Sequence, residues 1–124
     1  MKIFDIAGNW SNKVNFVDEN NVLVGYDMSS HCCEHADWFI SETEDDNVID
    51  GNGITEELDI YNFDATYFSE VKTEDCDCGR MVRFKLVAKD KYDLFLHLYN
   101  VQNGYYSHGF EFKINDIIFK EGSL

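Results

Sequence analysis

Proline does not occur in this chain, so no rigid Pro-rich spacer and no proline break marks off a second domain. Positive charge is scarce as well. Ten Lys and Arg stand against 24 Asp and Glu, a formal net charge of −14. Residues 14 to 71 hold fifteen Asp and Glu and not one Lys or Arg. Phosphate backbones are bound by cations that displace their counterions, so this composition argues against nucleic acid and anionic membrane surfaces as direct partners. Two roles remain for the acids. They keep a small domain soluble, or they attract a basic protein partner, including by occupying another protein's cationic groove in place of nucleic acid.

Long apolar runs are missing too. The longest span a few residues, such as Ile117-Ile118-Phe119, against about 20 for a membrane-crossing helix. Met1-Lys2-Ile3-Phe4-Asp5 meets an acid before a stretch of signal-peptide length can build. The expectation is a cytoplasmic protein with reduced thiols. At 124 residues the chain reads as one domain, 1–124, whose core buries roughly 60% or more of the unfolded surface and needs neither bridge nor metal to hold. No dinucleotide, phosphate-loop or nucleophile-elbow fingerprint is present to name an enzyme class.

The chain is rich instead in bulky strand formers, with ten Phe and seven Tyr among 15% aromatic residues. Residues 13–18 and 22–28 alternate, with Val14 and Phe16 then Val22, Val24 and Tyr26 on one face, and join through Glu19-Asn20-Asn21 as a hairpin. From Ser30 the spacing changes. Cys32, Ala36, Phe39 and Ile40 fall at i, i+4, i+7 and i+8, Ser30 can cap and Glu34 sits in the first turn, which predicts one short helix over 31–41. Residues 42–53 form an acidic loop. Asp46, Asp50, Gly51 and Glu57 fall at positions 1, 5, 6 and 12 of a calcium-binding EF-hand loop, but Val48 offers no side-chain oxygen at the third position, so the loop reads as solvated.

Beyond residue 54 the pattern predicts strands at 54–61, 64–73, 80–89, 92–101, 105–114 and 117–121, separated by short turns that include Asp90-Lys91, Asn103-Gly104 and Asn115-Asp116. Connections this short make antiparallel neighbours, hence a meander. Strand 92–101 carries Leu94, Leu96 and Leu98 on one face and Phe95 and Tyr99 on the other, the mark of a central strand covered on both sides. The fold class is therefore mainly β (α+β): a strongly bent antiparallel sheet or small barrel-like meander with one short helix.

The residues that carry chemistry gather in two segments, His31-Cys32-Cys33-Glu34-His35 and Cys76-Asp77-Cys78. On a helix, His31 and His35 share a face. With Cys76 and Cys78 they supply four N and S donors for a structural zinc, a closed site that would stabilise the fold rather than activate water. The plainer reading makes Cys32 and Cys33 small core residues and the second segment a polar turn. Any disulfide would have to link the two segments, since neighbouring cysteines pair only under strain. His97 and His108, on strands among aromatics, read as packing residues. A hydrolase alternative would use His108 with Glu111 or Asp93. The function these features favour is a non-enzymatic acidic binding or interaction protein, with a nucleic-acid-mimicking, anti-defence inhibitor of a basic host protein as the other binding reading.

Cys32-Cys33 followed by Trp38-Phe39, together with Asn103-Gly104-Tyr105-Tyr106-Ser107-His108-Gly109-Phe110, resembles an uncharacterised family of small bacterial and phage β-rich proteins, a domain of unknown function. The likeness runs over most of residues 13 to 114, and leaves out the acidic insert at 42–53 and the Cys76-x-Cys78 pair. It implies a bacterial or phage origin and a compact β fold, and no activity.

The charge distribution yields a direct expectation. Duplex DNA should show no mobility shift with micromolar protein at moderate salt; a shift that weakens as salt rises would reveal that the ten bases gather into a patch.

Overall fold

The computed structural model describes residues 1–7, 12–29, 35–45, 48, 51–71, 80–101 and 108–124. Among them run ten strands: β1 (Lys2–Ala7), β2 (Asn12–Val17), β3 (Val22–Asp27), β4 (His35–Ser41), β5 (Asn62–Phe63), β6 (Ser69–Val71), β7 (Arg80–Val87), β8 (Leu94–Val101), β9 (Gly109–Ile114) and β10 (Ile117–Ser123), with a single 3₁₀ turn at Leu58–Ile60. Two antiparallel sheets result, in the orders β1-β2-β3-β9-β10 and β4-β8-β7-β5, with β6 beside β5 along the same edge of β7. The mainly β expectation holds, and the sheets face each other without closing into a barrel. No helix among the described residues is long and apolar enough to cross a membrane.

Strand alternation decides which side chains meet. Val14 and Phe16 of β2, Val24 and Tyr26 of β3 and Phe112 of β9 point to one side of the first sheet. Ile40 of β4, Phe84 and Leu86 of β7 and Leu96 and Leu98 of β8 point to one side of the second. All are buried in a common cluster. Rings interlock between the layers: Phe16 meets Trp38 edge-on at 5.1 Å, and Phe84 meets Phe112 edge-on at 5.2 Å, the geometry that aromatic quadrupoles prefer. The Tyr26 hydroxyl crosses the gap as well and donates to the Tyr99 carbonyl at 2.9 Å.

Turn chemistry closes the hairpins that the sequence predicts. Asn115 and Asp116 between β9 and β10 both adopt positive φ, 53° and 65°, as a two-residue turn matched to strand twist requires. Asn21 before β3 (φ 60°) and Asp90 before β8 (φ 60°) do the same, where Asn and Asp are the least strained of ordinary residues.

Four expectations are corrected. Residues 35–41 of the expected helix are strand β4, because Trp38 and Ile40 enter the main core while Phe39 packs on the opposite face with Met81 and Tyr99. Three consecutive apolar residues buried on two faces imitate a helical spacing over so short a window. No strand forms over 54–61, where the 3₁₀ turn lies; β5 falls at 62–63, between the two expected strands, and the described part of 64–73 keeps only β6, after a turn in which the Asp64 carboxylate accepts from the Thr66 N–H and hydroxyl at 2.9 and 2.6 Å. Strand β8 does not pair with β9. It lies between β4 and β7, whereas β9 lies between β3 and β10, so the chain changes sheets there and the meander is broken. Finally β1, unread in the sequence, extends the first sheet by pairing Ile3 with Phe16 and Phe4 with Asn15.

One buried carboxylate ties hairpin to opposite sheet. Asp18 Oδ1 accepts from the N–H groups of Asn20 and Val22, and its Oδ2 accepts from the N–H of Phe63 on β5, each at 2.9 Å. Asp18→Ala strands three donors, at least two of them buried. Urea unfolding should therefore report a loss of about 3 kcal/mol with an unchanged m-value, while Glu19→Ala on the exposed neighbour stays within about 0.5 kcal/mol of the parent.

Candidate functional site

Of the four zinc ligands expected, His31, Cys76 and Cys78 lie outside the described residues, as do Cys32 and Cys33. His35 opens strand β4, exposed, with Nε2 4.0 Å from Asp37 Oδ2 and its ring 5.8 Å from that of Tyr99. Strand β4 begins at His35, so the helical turn expected to pair it with His31 lies outside the described residues. Among the described residues, no group of three or more His, Cys, Asp or Glu is arranged to hold a metal. Asp46 and Asp50 of the calcium-like loop are likewise outside the described residues, and the 3₁₀ turn at Leu58–Ile60 stands where an EF-hand would begin its exiting helix.

The side of the second sheet turned away from the core carries a buried polar cluster. Phe39, His97 and Arg83 sit directly opposite one another on β4, β8 and β7. His97 is wholly buried and stacks on Phe39 at 4.2 Å between centroids and 9° between planes. Its Nε2 lies 3.0 Å from Ser41 Oγ, and that hydroxyl donates to the Thr43 carbonyl at 2.9 Å. One hydroxyl hydrogen cannot serve both. With the Ser41 hydrogen on Thr43, the Nε2–H of His97 is the donor to Ser41, and the buried Nδ1, which has no hydrogen-bond partner among the described residues, presents a lone pair rather than a stranded hydrogen. Arg83 donates to the Glu44 carbonyl and, at 3.3 Å, to Ser69 Oγ. The Tyr67 hydroxyl donates to the Glu44 carboxylate at 2.7 Å. Burial, then the positive charge of Arg83, pushes the His97 pKa down to about 4.

This arrangement fastens residues 41–44 to the sheet and gives Ser41 no base. A serine nucleophile aims its O–H at the imidazole, whereas here the imidazole donates to the serine. His108 is committed elsewhere. Its Nδ1 lies 2.9 Å from the Asp27 carbonyl, and its backbone exchanges two hydrogen bonds of 2.8 Å with Leu124. The carboxylates considered for a hydrolase are not beside it. Glu111 occupies the alternate face of β9 and pairs with Lys113 at 3.4 Å; Asp93 belongs to the β7–β8 hairpin of the other sheet and pairs with Lys85 at 3.4 Å.

The outward side of the first sheet holds a groove of about 540 Å³, open to solvent and lined by Lys13, Asn15, Gly25, Asp27, Glu111 and Glu121 among others. Gly25 forms its floor in the middle strand. A Cβ there would stand 2.9 Å from Asn15 Oδ1 and 3.4 Å from the Glu111 side chain. For Asp27, burial works against the charged form, but the hydroxyl and N–H of Ser29 and the nearby Lys13 outweigh it and hold the carboxyl below its usual range. Sequence reasoning passed over this groove. Its one signal was a glycine inside an alternating strand, which marks a bulge or a close approach.

The buried histidine sets a pH dependence. The unfolded chain takes up a proton at His97 near pH 6.5 while the folded chain resists until about pH 4. The stability tied to neutral His97 is thus complete above pH 6.5 and drains away between 6.5 and 4, by about 3 kcal/mol in all. His97→Phe, which keeps the stack on Phe39 and cannot protonate, should flatten that part of the stability profile measured by urea titration at successive pH values. A wild-type profile parallel to that of the variant would contradict the assignment.

No family model, no curated protein and no solved structure matches the chain, so what it does has to follow from its own residues.

Proposed function

We propose that the chain is a non-enzymatic binding protein, acting in the cytoplasm, whose partner is a basic protein. The observation that carries this reading is the acid-rich stretch of chain between β4 and β6. Glu42, Glu44, Asp45, Glu56, Glu57 and Glu70 are all exposed there, and residues 14 to 71 contain no Lys or Arg. An excess of exposed carboxylates raises the local concentration of a cationic partner and speeds its encounter. The commitment of His97 and His108 to packing and backbone hydrogen bonds supports binding over hydrolysis. A basic groove that ordinarily receives nucleic acid is the partner surface such a field suits best. A zinc ion held with the help of Cys76 and Cys78 would leave the reading unchanged, because a closed four-ligand site activates no water.

Immobilised protein should capture basic host proteins at about 50 mM salt and release them near 1 M, where the screening length has fallen to about 3 Å. Replacing Glu42, Glu44 and Asp45 by Gln, Gln and Asn should weaken capture, and duplex DNA should compete for the bound partner. Capture indifferent to both salt and these substitutions would rule the reading out.

A further inference from the structure

Hydrogen-bond parity fixes what the far margin of β1 presents. The N–H of Asp18 donates to the Val22 carbonyl and the N–H of Met28 to the Asn12 carbonyl, so the even-numbered residues of β2 direct their backbone groups to β3 and the odd-numbered ones to β1, as an antiparallel ladder alternates. Lys13, Asn15 and Val17 stand opposite Ile6, Phe4 and Lys2. Those three residues of β1 are therefore occupied with β2. Ile3, Asp5 and Ala7 turn N–H and C=O the other way, where no strand among the described residues lies beside them. An open groove of about 440 Å³ is lined by Met1 to Phe4 and by Thr55, Glu57 and Asp59 among others. Consecutive residues of β1, from both of its faces, border it, so the groove follows the margin. The two faces differ in chemistry. Phe4 and Ile6 are 50% and 53% exposed on the outward face, with Lys2 before them and Lys13 opposite Ile6. On the inward face Ile3 packs on the core, Asp5 follows it exposed, and Glu57 and Asp59 border the groove. These three carboxylates stand against the Met1 ammonium, which the carbonyls of Leu58, Asp59 and Tyr61 already hold at 2.9, 3.3 and 2.7 Å.

We propose that β1 accepts a further strand, an extended segment of the basic partner protein in which apolar residues alternate with Lys or Arg. This deepens the reading of a basic partner and rests on it. Main-chain hydrogen bonds to Ile3, Asp5 and Ala7 provide the attachment, and alternate side chains provide the selection. Every strand pair in both sheets is antiparallel, and the added strand follows them. Residues of the segment that bond to β1 then lie opposite Ile3 and Asp5, with their side chains on the inward face. These are the cationic positions, directed at Asp5, Glu57 and Asp59. The residues between them fall on the outward face beside Phe4 and Ile6, where Lys2 and Lys13 repel a cation and apolar side chains are preferred. A segment of the opposite phase would set like charges together outside and leave the three carboxylates unmatched inside. Strand β1 also lacks the devices that close a sheet margin: its residues include no Pro, and it pairs with β2 without a bulge. Binding rests on few hydrogen bonds along six residues, so the contact is weak and reversible.

A capped, fluorescent peptide of about eight residues that alternates Val and Lys, long enough to span an ordinary strand, tests this by anisotropy. It is titrated with the whole chain from about 1 to about 500 μM at about 50 mM salt, a range that brackets weak binding. Two further peptides carry N-methyl groups, one on every Lys and the other on every Val. Methylated Lys has lost the N–H groups that face β1, so binding should weaken about tenfold or more, whereas methylated Val has lost N–H groups that face solvent and should stay within about threefold of the parent peptide. Asp5→Asn with Glu57→Gln should weaken the parent peptide and flatten its salt dependence. Asp5→Pro removes a donor on the open side without touching the β2 ladder and should weaken it as well; circular dichroism verifies that each variant is folded. Because the methylated peptides are measured on the unaltered chain, a variant that fails to fold does not decide the outcome. Equal binding of the two methylated peptides, fading as salt rises, overturns docking on β1 while leaving the acidic stretch as an attractor of cations. No binding of the parent peptide at the highest concentration also overturns it. The capture of basic host proteins is measured without these peptides and decides the broader reading separately.

Discussion

The carboxylate of Asp18 is the constraint on which the rest of this molecule turns. Its two oxygens hold the β2–β3 turn on one side and the N–H of Phe63 on the other, so the register of a hairpin in the first sheet and the position of a strand in the second are set by the same group. Register matters because strand side chains alternate: a slip of one residue would send Val14 and Phe16 outward and bring Lys13 and Asn15 into the core. The aromatic contacts between the layers, Phe16 on Trp38 and Phe84 on Phe112, depend on that register. So does the placement of Gly25, which opens the groove on the opposite side of the same strand.

Much of this could be read from the residues before any coordinates. The β2–β3 hairpin, the β7–β8 and β9–β10 hairpins and the two-sided burial of β8 follow from alternation and from Asn and Asp at positions that demand positive φ. What failed did so for identifiable reasons. Trp38, Phe39 and Ile40 stand in a strand covered on both faces, where period-two alternation vanishes. Asn103-Gly104 has the chemistry of a tight hairpin, yet the strands on either side of it belong to different sheets, a choice made by tertiary packing that no local motif encodes. Strand β1 was hidden by polar residues, Lys2 and Asp5, at an edge where only Ile3 leans toward the core. Of the candidate site, the sequence pointed to the histidine and cysteine pairs, and only His35 of those can be placed. The buried His97 cluster and the Gly25 groove arise from residues far apart in the chain, so no spacing announced them.

His97 and Arg83 show how polar groups are carried into an otherwise apolar layer. Cross-strand neighbours of potentially like charge coexist because one of them is neutral, and it is neutral because burial and its neighbour both oppose protonation. The same pair anchors residues 41–44 through Ser41 and the Glu44 carbonyl. The segment that carries Glu42, Glu44 and Asp45 outward is thus held by groups beneath it that are themselves cationic or neutral, and the exposed acids are presented from a fixed backbone.

The two sheets differ in how their margins are finished. Along β4, Asn52 and Ile54 engage the backbone of Ile40, and along β7 the covering strand is broken into β5 and β6 with a turn between. Neither margin offers an incoming chain a long, regular row of free donors and acceptors. Strand β1 pairs with β2 in unbroken register over six residues, and β10 carries a bulge between Ile118 and Lys120, the kind of irregularity that discourages further pairing. Should a concentrated solution of this protein misassemble, growth would start at β1, and partial unfolding of the second sheet would contribute little to the seed.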